Sequence, residues 1–119
     1  MRKLIPAIFL VLPLFGMGQS VQTPFEASQG RRSATYFECI DFYKKLDLQS
    51  PQLSIKEMGI SDAGYPYHVL LFSNDGVADP VTWHRKGKLV FLINNGIHPG
   101  EPDGIDASML MLRDLVEKR

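Results

Sequence analysis

Leu89-Val90-Phe91-Leu92-Ile93-Asn94-Asn95-Gly96-Ile97-His98-Pro99-Gly100-Glu101-Pro102-Asp103-Gly104-Ile105-Asp106 is the stretch on which the fold turns. It opens with five apolar residues, 89–93. A short unbroken apolar run bounded by turn residues predicts a strand buried on both faces. Asn94, Asn95 and Gly96 end that strand, because Asn and Gly accept the backbone angles of a turn. Pro102 suits an early helical position, where its missing N–H costs nothing. Ile105, Met109, Leu112 and Val116 then recur on one helical face. His98 and Glu101 therefore fall in the turn between a buried strand and a helix. In open α/β sheets that edge is where ligands bind.

Imidazole and carboxylate are both zinc ligands, with bonds of about 2.0–2.2 Å. Spaced i, i+3 in a tight turn, His98 and Glu101 can reach one ion. Pro99 limits the turn and Gly100 frees the bend. The spacing alone is weak, since it arises by chance and a histidine in a polar turn is commonly just solvated. The position between strand and helix is what favours a metal. Asp103 and Asp106 are read as stabilising the positive end of the helix, not as further ligands. His68, inside a strand, reads as a partly exposed strand histidine. His84 precedes the buried strand and is discounted, because at ~3.3 Å per residue the strand would separate it from His98.

Working outward, Thr35 and Glu38 have capping-box spacing and start a helix. Tyr36, Cys39, Ile40, Tyr43 and Leu46 give it an apolar face, and Gln49, Ser50 and Pro51 end it. Residues 53–60 and 67–73 read as strands. The short gap between them, at Ser61 to Gly64, favours an antiparallel hairpin over a parallel crossover. The fold class is α/β: helix, hairpin, buried strand, helix. Residues 19–34 read as a polar, irregular lead-in. The basic cluster Arg85, Lys86, Lys88 reads as a solvated approach to the buried strand. Cys39 is the one cysteine, so no internal disulfide forms and the fold rests on packing. Cys39 itself reads as a small buried hydrophobe.

Residues 1–18 read as a signal peptide. Arg2 and Lys3 form its basic end, residues 4–15 its apolar centre, and Gly16-Met17-Gly18 its cleavage region. The apolar run is shorter than the ~20 residues of a spanning helix, so no stable membrane anchor is expected. The expected destination is the periplasm or the extracellular space. Basic and acidic residues balance at 13 each, which gives no electrostatic case for nucleic acid or anionic membrane. The sequence carries no phosphate loop, paired-cysteine metal site or internal repeat.

Asn94-Asn95-Gly96-Ile97-His98-Pro99-Gly100-Glu101 resembles the first zinc-ligand turn of the M14 zinc carboxypeptidases, Gly-x-His-x-x-Glu after a central strand. Thr35-Tyr36-Phe37-Glu38 and Gly59-Ile60-Ser61-x-x-Gly64 resemble that family's N-terminal region, in the same order. The resemblance covers most of residues 35–115. It implies that 35–119 are the N-terminal part of an α/β/α sandwich around a mixed sheet. It implies that His98 and Glu101 are two of three protein ligands of one Zn2+, and that the substrate is a peptide or peptide-like molecule. The implied activity is hydrolysis of peptide bonds at or near a C-terminus.

The departures open two further readings. Digestive members have Arg immediately before the ligand Glu, where this chain has Gly100. That keeps related amidohydrolases in view, acting on acylated amino acids or peptidoglycan peptides. The family's third ligand, a His, its substrate-carboxylate Arg and its general-base Glu lie far downstream and match no residue here. The expectation is therefore the front part of a longer enzyme, inactive by itself, or else an exported domain without catalysis. A central strand needs neighbours on both sides, so the isolated chain is expected to be marginal in stability.

Overall fold

A computed structural model describes residues 20–117. Residues 1–19, which include the stretch read as a signal peptide, lie outside the described residues, as do Lys118 and Arg119. The elements in order are α1 (Pro24–Ala27), α2 (Tyr36–Gln49), β1 (Leu53–Ile60), β2 (Pro66–Phe72), α3 (Pro80–Arg85) and α4 (Asp103–Glu117). Among the described residues no helix is long and apolar enough to cross a membrane.

The start of α2 follows from its sequence. The Thr35 N–H donates to Glu38 Oε2 at 2.9 Å, and the Glu38 N–H donates back to Thr35 Oγ1 at 3.4 Å. Each side chain thus satisfies a backbone donor that the first helical turn leaves unpaired. Arg32 grips Glu38 with both guanidinium nitrogens, at 2.7 and 2.8 Å, and holds its carboxyl down at about 2. That pair is exposed, so the cap matters more than the charge. Thr35→Ala is expected to lower stability by about 1 kcal/mol, the usual cost of a lost cap. Urea unfolding followed by circular dichroism measures it, and an unchanged midpoint would contradict the cap's role.

β1 and β2 form the expected antiparallel hairpin. Leu53 pairs with Phe72 and Ile55 with Leu70, which puts four apolar side chains on one face. The register shifts between Glu57 and Gly59, a bulge at Met58. The Ser61 N–H and Oγ–H both donate to the Tyr65 carbonyl and close the turn. Tyr36 Oη donates to the Pro66 carbonyl at 2.5 Å and ties α2 to the start of β2.

The core lies between the hairpin and two helices. Phe42, Tyr43 and Leu46 come from α2, Leu53 from β1, and Met109 and Leu112 from α4. Ile105 and Val116 pack at its margin, so the apolar face read for α4 is the face it buries. Cys39 also packs there, and burial pushes its thiol up to about 11, which makes it unreactive.

Two short helices depart from expectation. α1 occupies part of the stretch read as irregular. Thr23 and Glu26 form a second capping box around Pro24 at the first helical position. α3 occupies the supposed approach to the buried strand. Asp79 caps it, accepting from the Val81 and Thr82 N–H groups. Trp83 is buried and its indole N–H donates to the Val77 carbonyl. Lys86 and Lys88 both reach Asp75 at 2.8 Å, so these two lysines are paired.

The larger correction concerns residues 89–93. They form no strand, and all five side chains are exposed, from 57% at Ile93 to 90% at Leu92. The sheet has two strands, β1 and β2, and neither pairs with this segment. An apolar run states a preference for burial; a strand also needs a neighbour to accept its backbone hydrogen bonds. Among the described residues the class is therefore mixed α/β, with a small two-stranded antiparallel sheet and four helices.

Candidate metal site

His98 and Glu101 sit in the turn that leads into α4. His98 Nδ1 lies 3.3 Å from Glu101 Oε2. Their side chains are 73% and 61% exposed, so both donors face solvent and an ion could enter without rearrangement of the core. Two ligand atoms each about 2.1 Å from a tetrahedral ion lie about 3.4 Å apart. The observed spacing fits that separation. It also fits a histidine–carboxylate hydrogen bond in the absence of metal. The donor set, one imidazole nitrogen and one carboxylate oxygen, suits zinc. Among the described residues no third His, Cys, Asp or Glu joins them.

The turn depends on backbone that only some residues adopt. Gly96 has φ 64° and Gly100 has φ 87°, both in the left-handed region that disfavours a side chain. A Cβ on Gly96 would also meet Ile105 Cδ1 at 2.7 Å. Gly100 has open space around it, so its constraint is conformational.

The two aspartates near the turn divide. Asp103 begins α4 and is exposed. Asp106 is buried at the first turn of α4, and its Oδ1 accepts from the Ala34 N–H at 3.2 Å. It thereby ties the chain entering α2 to α4, a role beyond that of a helix-end charge. His68 is partly buried in β2, against Tyr36, and its Nδ1 is buried without a hydrogen-bond partner. His84 is exposed in α3. Neither is grouped with His98.

One contact was not foreseen. Asn95 Nδ2 donates to Ser108 Oγ at 2.5 Å. Gly104 lies under that contact, where a Cβ would stand 2.8 Å from Asn95 Oδ1. A glycine in the first turn of a helix, one turn before a serine, was the available signal.

Comparison with protein-family models, with curated proteins and with solved structures returned no match.

Proposed function

We propose that this chain carries part of the zinc site of a metallocarboxypeptidase of the M14 type, exported from the cell, in which His98 and Glu101 hold one Zn2+. The observation that carries the proposal is the 3.3 Å approach of His98 Nδ1 to Glu101 Oε2 in an exposed turn entering a helix. Bound there, zinc would polarise a scissile carbonyl and lower the pKa of a water molecule. The chain's own residues contribute two ligands and a turn that presents them. The general base and the substrate-carboxylate clamp are assigned to no residue of this chain. The substrate class is a peptide with a free C-terminus.

A second reading keeps the metal and changes the substrate. Gly100 occupies the place of the family's Arg, and its φ of 87° would strain an arginine there. The turn thus offers no cation beside the ligands. That favours a related amidohydrolase, acting on acylated amino acids or peptidoglycan peptides.

The test begins with the metal. His98→Ala removes one of two ligands and is expected to weaken zinc binding by about tenfold or more, about 1.4 kcal/mol. Equilibrium dialysis against zinc reads it, with the melting curve as a control for folding. Zinc binding equal to that of the unaltered chain would end the assignment. In any longer form of the protein, release of C-terminal residues compared with hydrolysis of acylated amino acids would separate the two substrate readings.

A further inference from the structure

Asn95 holds a singular position. From residue 89 to residue 101 every side chain is exposed except that of Asn95, which is half-buried. Among the described residues the segment pairs with neither strand of the sheet. Asn95 reaches across to α4 and donates to Ser108 Oγ, 13 residues further on. The contact needs two adjacent features. Gly104 has no Cβ, which leaves room for the Asn95 carboxamide. Gly96 turns the chain so that Ile105 Cδ1 can lie against its backbone. The bond thus spans from the residue three before His98 to the second turn of α4, while Glu101 lies just ahead of that helix.

We propose that Asn95 is the positioning residue of the His98–Glu101 turn, acting through Ser108. Without it, His98 would hang from an exposed segment, and its distance from Glu101 would vary. With it, the backbone on the His98 side is tied to the helix that Glu101 precedes. Outer contacts of this kind commonly change metal affinity 10–100-fold. The metal aspect rests on the zinc reading above; the ordering of the turn does not.

Three substitutions test it in the full chain. Ser108→Ala removes the acceptor. Gly104→Ala places a methyl group against Asn95 Oδ1, yet raises helix propensity, so loss of the turn is separated from loss of the helix. Ser108→Thr keeps the hydroxyl and should act as the rescue. The first readout is amide order by NMR relaxation for residues 97, 98, 100 and 101 without metal. The unaltered turn should approach the rigid value of about 0.85, and both alanine variants should fall toward about 0.6. The second readout is zinc affinity, expected to drop about tenfold in both alanine variants and to return with Thr. Unchanged amide order in both alanine variants overturns the proposal, as does a turn already mobile in the unaltered chain. If His98→Ala leaves zinc binding unchanged, the metal reading fails, and amide order alone decides the role of Asn95.

Discussion

Leu46→Ala is expected to lower the unfolding free energy by about 2–5 kcal/mol, the range for a leucine truncated in a packed core. Leu46 is 0% exposed and lies on the α2 face that meets Leu53, Met109 and Leu112. It therefore sits where the hairpin and both long helices converge. Removing its isobutyl group loses the transfer free energy and leaves a cavity that three elements would have to move together to close. The core around it is small, so a few kcal/mol is a large share of any domain's total of about 5–15. Leu48 supplies the control. It lies on the same helix, 89% exposed, and Leu48→Ala should change stability by less than about 0.5 kcal/mol. Chemical unfolding of both variants gives the comparison. Equal effects at the two positions would mean that α2 does not bury the face assigned to it.

The elements legible in the sequence are those whose hydrogen bonds are local. α2 was readable because Thr35 and Glu38 cap it and its apolar residues recur at helical spacing. The same holds for the buried face of α4. The hairpin was readable because a short turn leaves its two strands little choice of partner. Residues 89–93 were misread for the opposite reason. Their composition says that they avoid water, but a strand exists only against another strand, and no local pattern names that partner. α1 is too short for periodicity, and the stretch that holds it reads as an irregular lead-in; its Thr23–Glu26 capping box is seen only in the structure. The candidate site divides along the same line. His98 and Glu101 were found by spacing, since a turn is local and brings them to 3.3 Å. The Asn95–Ser108 contact joins a loop to a helix and has no such spacing rule.

Arg113→Met is expected to cost about 2 kcal/mol at neutral pH, within the range for hydrogen bonds to charged groups. The Arg113 side chain is 11% exposed and contacts Glu26 Oε2 at 2.5 Å, Asp114 at 3.4 Å and the Val21 carbonyl at 3.4 Å. Glu117, one helical turn on, accepts from Ser20 Oγ and the Val21 N–H. Arg113 and Glu117 thus dock the chain from Ser20 through α1 onto α4. Methionine keeps much of the apolar stem, so the loss reports the guanidinium. Glu26 is still 32% exposed, and water softens the loss below the 3–5 kcal/mol of a fully buried pair. The pH dependence gives the sharper test. The Arg113 guanidinium, aided by Thr23, holds the Glu26 carboxyl below its ordinary 4.5. A lowered acid stabilises the folded state above the unfolded pKa, and that contribution is lost as pH falls through the folded value. The gap between the native chain and Arg113→Met should therefore be widest at neutral pH and close as pH falls below 4.5. Urea midpoints measured across that window decide it. A gap that persists unchanged into acid would mean that Arg113 acts by packing and not through Glu26.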